Sequence, residues 1–171
     1  MTSEFQAAFD ALRDILRRHA GGMIVQTDTP TDLIVATRAL APNGKPMWFG
    51  CVSVKKTAVT FHLMPLYFNP KLQGTVPAEL LVRQQGKTCF NFKRSDTTLF
   101  KLIDDLTRRG RAAWEQQGML SAGPVSPEQL DNALRAGGEE PAAIARHRKY
   151  KGAAAATKRA ETIRTKSSRA R

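Results

Sequence analysis

The stretch "MWFGCVSVKKTAVTFHLMPL", residues 47–66, decides how the fold is read. Residues 47–56 and 58–66 are rich in β-branched and aromatic side chains and flank Lys56-Thr57, which predicts an antiparallel hairpin. Lys-Thr is poor chemistry for a primed turn, so the connection is expected to be as much as two residues wider. Alternation along the strands assigns Trp48, Val52, Val54, Val59, Phe61 and Leu63 to a core face. Phe90 and Phe92 of "KTCFNFKR", residues 87–94, join them as part of a further strand. The opposite face then takes Phe49, Cys51, Ser53, Thr60, His62, Met64, Cys89, Asn91 and Lys93. A slip of one residue would exchange the two sets. Pro65 and Pro70 end the second strand.

Toward the amino terminus, Phe5, Phe9, Leu12, Ile15 and Leu16 recur at three- and four-residue steps, which predicts an amphipathic helix over residues 3–19. Thr2 or Ser3 can cap it, with Gln6 completing a capping-box pattern after Ser3; Arg17, Arg18 and His19 suit the negative end, and Gly21-Gly22 stops the helix. "GMIVQTDT" and "DLIVATRAL" read as short strands, and "APNGKP", residues 41–46, as a turn. On the other side, residues 69–86 read as a loop with a short helix over residues 77–83. Ser95 or Asp96 caps a long helix reaching Gln117, with Leu99, Phe100, Leu102, Ile103, Leu106, Ala113 and Trp114 on its apolar face. Gly110 is expected to interrupt that helix and Gly118 to end it. "SAGPVSPEQ" is a linker, Ser126, Pro127 and Gln129 open another short helix, and Glu139, Glu140 and Pro141 begin a further helical segment. The fold class is therefore α+β: four to five antiparallel strands backed by the first helix and the helix 96–117. The organisation is a body over residues 1–120, a linker and short helix over 121–144, and a basic segment over 145–171 that is disordered or conditionally helical.

Charge separates these parts. The chain of 171 residues has net charge +12. Residues 145–171 carry ten Lys/Arg and one acid, Glu161, while residues 1–144 hold seventeen bases and fourteen acids. The ten cations are Arg146, Arg148, Lys149, Lys151, Lys158, Arg159, Arg164, Lys166, Arg169 and Arg171, expected to neutralise DNA or RNA phosphates without reading sequence. Tyr150 is the only aromatic there, so stacking on bases is a minor element. The alternative is a solubilising tail. The segment has no apolar face, which argues against a membrane tether, and no apolar run in the chain is long enough to span a bilayer. The amino terminus lacks the basic start and apolar block of a secretory signal. Two cysteines without metal-type spacing fit a reducing cytoplasm.

The outward face holds the candidate ligand-binding residues: Cys51, His62, Met64, Tyr67, Lys87, Cys89, Asn91 and Lys93. A histidine on an antiparallel strand is commonly no more than a half-exposed sheet residue. The sharper reading is a pocket for a small ligand or a protein partner. Thiol, thioether and imidazole donors would suit copper or zinc, but they lie on separate strands with no supporting spacing, so the sequence implies no metal and no cofactor. Gly86-Lys87-Thr88 lacks the earlier glycine of a phosphate loop and precedes a strand, so it is not one; Lys87 and Lys93 remain as point charges for an anion. No grouping of nucleophile, base and orienting residue is visible, which leaves catalytic residues unassigned.

Two blocks carry a resemblance. Phe49, Gly50 and Val52, then Lys55 or Lys56, then residues His62 to Tyr67, and finally Gly86 to Lys93 resemble the bacterial YdhG-like family of unknown function. "FQAAFDALRDIL", residues 5–16, is similar to the family's first helix, and the resemblance spans about residues 3–120. It implies a curved antiparallel sheet with helices on one face. Some relatives are described as frataxin-like iron chaperones, which makes a metal-handling domain the alternative to a nucleic-acid-binding module. Frataxin-type iron binding depends on acidic ridges, and this basic chain departs from that pattern.

Overall fold

The computed structural model describes residues 3–41, 44–121, 123–124 and 128. Helix α1, Ser3–Arg18, buries Ala8, Phe9, Leu12, Ile15 and Leu16 along one stripe. Each large side chain in that stripe contributes about 1.5–3 kcal/mol by leaving water. Arg13 and Arg17 reach from α1 to the carboxylate of Asp28, and Arg111 donates to the carbonyl of Gly21 at 2.9 Å. Strands β1, Ile24–Asp28, and β2, Asp32–Leu40, follow as an antiparallel pair. Strands β3, Pro46–Val54, and β4, Val59–Leu63, are the hairpin expected from the central stretch. Residues 55–58 connect them, with the Lys55 amide donating to the Ala58 carbonyl at 2.8 Å.

The loop expected after β4 is instead two short helices, α2, Pro65–Phe68, and α3, Pro70–Gln73. Each starts on a proline, whose missing N–H costs nothing at a first helical position. Asn69 caps α3 by accepting from the Leu72 amide at 2.9 Å. Helix α4, Ala78–Leu81, then leads into β5, Gln84–Gln85, β6, Cys89–Phe92, and the long helix α5, Thr97–Gln116. Asp96 caps α5 through the Leu99 amide at 3.0 Å. The last described strand is β7, Gly123–Pro124.

The sheet is open and runs in the order β1-β2-β3-β4-β6-β5, all antiparallel, with β7 added parallel to β2. The count of seven exceeds the expected four to five because β5, a bare Gln-Gln pair, and β7, a Gly-Pro pair, carry no apolar alternation. One face packs on helices. Leu33, Val35, Val52, Val59, Phe61, Leu63, Phe90 and Phe92 share a buried cluster with the stripe of α1 and with Ile103, Leu106 and Trp114 of α5. Phe92 meets Phe100 edge-on at 5.2 Å, and Phe49 meets Trp114 at 5.8 Å.

Two expectations are corrected. Trp48 is 45% exposed and Phe49 is fully buried, the reverse of simple alternation. The cause is a bulge. Val35 pairs with Gly50, while the next residue, Ala36, pairs with Trp48, so Phe49 is an extra residue in β3. It turns inward beside Gly50, and Cys51 and Val52 face as expected, whereas Ser53, expected on the open face, is buried and Val54 is half-buried. Gly110, in turn, does not interrupt α5. A Cβ there would lie 3.2 Å from Cβ of Pro65, so the missing side chain lets α5 run close past the start of α2. Apart from Glu128, the helix expected from Ser126, the segment after Glu139 and the basic residues 145–171 lie outside the described residues.

Candidate functional site on the open sheet face

The strand register builds a row across the uncovered face. Ile34 of β2 pairs with Cys51 of β3, Cys51 with His62 of β4, His62 with Cys89 of β6, and Cys89 with Gln85 of β5. Phe61 and Leu63 on either side of His62 point into the core. An adjoining row is Asp32, Ser53, Thr60 and Asn91. The Thr60 hydroxyl donates to Asn91 Oδ1 at 2.9 Å, and Asn91 Nδ2 donates to Gln85 at 2.9 Å. Asp32 is the acid of this row. The Thr31 hydroxyl, then Ser53 and the charge of Lys55, outweigh partial burial and hold its carboxyl below the usual range.

His62 is the hub of the first row. Its Nδ1 lies 2.8 Å from Cys89 Sγ and 3.3 Å from the Thr88 hydroxyl, and its Nε2 lies 3.0 Å from Met64 Sδ. A thioether has no hydrogen to give, so this network assigns the ring proton to Nε2. Nδ1 is then an acceptor, and Cys89 and Thr88 are its donors. Burial lowers the pKa of His62 below the ordinary histidine value, which keeps the ring neutral at physiological pH. Burial, and secondarily the neighbouring Cys89, pushes Cys51 up to about 11, so it is a protonated, weakly reactive thiol. The row is thus an uncharged strip of soft and hydrogen-bonding groups, half-buried with no covering helix among the described residues.

That chemistry suits contact with a ligand better than ligation or catalysis. Nitrogen and sulfur ligands of a tetrahedral zinc stand roughly 3.5 Å apart, given Zn–N near 2.0 Å and Zn–S near 2.3 Å. Both sulfurs sit closer than that to His62 nitrogens, at hydrogen-bonding distances, and on different ring atoms. Among the described residues no three His, Cys, Asp or Glu side chains gather into a group able to hold a metal. Among the described residues no carboxylate bonds to His62, whose ring contacts are Cys89, Thr88 and Met64. Cys51 and Cys89 are both free, and β4 stands between their strands. Two strand spacings put their Cα atoms about 10 Å apart, beyond the reach of a disulfide.

Of the residues singled out in the sequence, Cys51, His62, Cys89 and Asn91 share the open face. Met64 belongs with them through its sulfur, although it precedes α2 rather than continuing β4. Tyr67 lies apart in α2, where its ring meets Phe68 edge-on at 5.2 Å. Lys87 is exposed in the β5–β6 turn, and Lys93 is exposed beyond the opposite end of β6. Thr88 was missed; its place beside Cys89 gave no sequence signal, because alternation assigns it inward. The cations of residues 145–171 fall outside the described residues. No helix among the described residues is long and apolar enough to cross a membrane. No family model matches the chain, and no curated protein or solved structure matches it.

Proposed function

We propose that the protein is a cytoplasmic binding module whose basic segment, residues 145–171, contacts DNA or RNA phosphates without sequence preference. The observation that carries this reading is the partition of charge: ten Lys/Arg and one acid in that segment, against a body whose seventeen bases nearly balance fourteen acids. Cations at this density release counterions from a polyphosphate, and binding then weakens steeply with salt. Membership of the YdhG-like family over residues 3–120 belongs to the same proposal, and the α+β body is compatible with it. The test is retention of a random-sequence duplex by the full chain across a salt series. Replacing Lys158, Arg159, Arg164 and Lys166 by Gln should flatten the slope of log K against log salt by roughly 3 to 4. An unchanged slope and affinity would remove the proposal.

A second reading is favoured by the half-buried His62 row: the open face receives a small ligand or a partner, as in a ligand- or metal-handling domain. Its metal version requires His62 to break its contacts with Cys89 and Met64. Tag-free protein carrying no stoichiometric metal, with no difference on His62→Ala, would eliminate that version.

A further inference from the structure

A cavity of about 270 Å³ lies where β6 ends and α5 begins, lined by Arg83, Phe92, Lys93, Arg94, Asp96 and Leu99. We propose that this cleft is a binding site for a phosphate group, with Arg83, Lys93 and Arg94 as its cationic rim. The named lining residues all precede residue 145, and the proposal stands whether or not residues 145–171 bind nucleic acid.

Four observations carry the inference. First, Arg83, Lys93 and Arg94 come from two segments: Arg83 from the link between α4 and β5, and the other two from the link between β6 and α5. The fold brings them around one cavity, although ten residues separate Arg83 from Lys93. Second, none of the three makes a side-chain hydrogen bond or ion pair among the described residues. This contrasts with Arg13, Arg17, Arg18, Arg108 and Arg109, all of which pair with carboxylates. Third, among the described lining residues three cations stand against one acid, Asp96, so the lining keeps a net positive charge even though that carboxylate, which accepts from the Leu99 amide through Oδ1, stays anionic. Fourth, the cations stand at the amino-terminal end of a 20-residue helix that has no acid in its first turn. The positive end of the macrodipole adds to their charge, and the Asp96 cap offsets only part of the sum. Like charges gathered on a helix's positive end repel one another, and a bound oxyanion relieves that repulsion while accepting hydrogen bonds from two guanidinium groups.

The floor of the cleft limits what the rest of the ligand is. Phe92 is 2% exposed and Leu99 9%, so no aromatic face is offered for a base to stack on. The site therefore recognises the phosphate itself, either on a small phosphorylated molecule or as one link of a polynucleotide backbone. Lys87, named beside Lys93 as an anion contact from sequence, is not part of it; it lies at the far end of β6, about 20 Å along the chain.

The test is a heteronuclear NMR titration of the full chain with inorganic pyrophosphate at constant ionic strength. Saturable shifts of the amides from Lys93 to Leu99 and of Arg83 are expected. Replacing Arg83 and Arg94 by Gln should weaken the fitted affinity on the order of tenfold per cation. These exposed substitutions should leave the remaining spectrum unchanged. A short oligothymidylate is then titrated in place of pyrophosphate. If it moves the same amides, the phosphate belongs to a polynucleotide; if only pyrophosphate does, it belongs to a small ligand. The proposal is overturned by shifts that fail to saturate, that sodium chloride reproduces, that persist in the double variant, or that are confined to residues 145–171.

Discussion

Replacing Gly50 by Ala probes the closest approach in the sheet. Gly50 follows the bulge residue Phe49 and pairs with Leu63 of β4. A Cβ at Gly50 would lie 2.8 Å from the backbone carbonyl oxygen of His62 and 3.0 Å from Cδ1 of Leu16. Ordinary contact begins at 3.4 Å, so the carbonyl would have to retreat by about 0.6 Å. Leu16 has rotamers with which to yield; a strand carbonyl does not. Moving it strains the β3–β4 ladder and the bond from the Met64 amide to the Phe49 carbonyl, 2.9 Å long. Inserting a methyl into such a site costs about 1–3 kcal/mol, which lowers the melting temperature of a body this size by roughly 3–15 °C. Urea denaturation followed by tryptophan fluorescence measures the loss as a lower midpoint at unchanged slope. A midpoint equal to wild type within error would refute the close approach, and with it the placement of α1 over the bulge.

Gly110→Ala should be far milder. Its Cβ would meet Pro65 at 3.2 Å, a strain that the gain in helix propensity of about 1 kcal/mol largely offsets, so stability should change by less than half as much as in Gly50→Ala; an equal loss would contradict the account of α5. His62 sets a pH dependence. Its folded pKa is lowered from 6.5 by burial, so as pH falls below 6.5 the unfolded chain takes up a proton that the folded chain refuses. Stability should decline with falling pH from about 6.5 down to the folded pKa, and His62→Gln should flatten that decline; parallel curves for the two proteins would rule it out. Cys51 should react slowly with an aromatic disulfide reagent. A rise from 9.0 to about 11 lowers its thiolate fraction about a hundredfold, greater intrinsic nucleophilicity recovers about tenfold, and peptide mapping should find it about tenfold slower than free cysteine. Labelling at the free-thiol rate would show that Cys51 is not held in this buried environment.

Much of this architecture was legible in the residues. The three- and four-residue spacing of Phe9, Leu12 and Leu16 marks α1, and the strict alternation of Phe61, His62 and Leu63 sets the parity of β4. With that parity, the register carries Cys51 and Cys89 to either side of His62. The bulge was illegible because Trp48 and Phe49 are adjacent aromatics, and alternation cannot choose between two apolar neighbours. The helices α2 and α3 were hidden by prolines, which mark helix starts as well as strand ends. Strand β5 was hidden because Gln84 and Gln85 carry no hydrophobic signal. The cationic cleft depends on a contact between segments ten residues apart in the chain, which no local pattern encodes.

The bulge at Phe49 decides which of two adjacent aromatics in β3 enters the core, and comparing the unfolding free energies of Phe49→Ala and Trp48→Ala tests it most directly. With Phe49 fully buried against Trp114 and Trp48 45% exposed, the account predicts a loss of about 3–5 kcal/mol for Phe49→Ala and about 1 kcal/mol or less for Trp48→Ala. A greater loss from Trp48→Ala than from Phe49→Ala would contradict it.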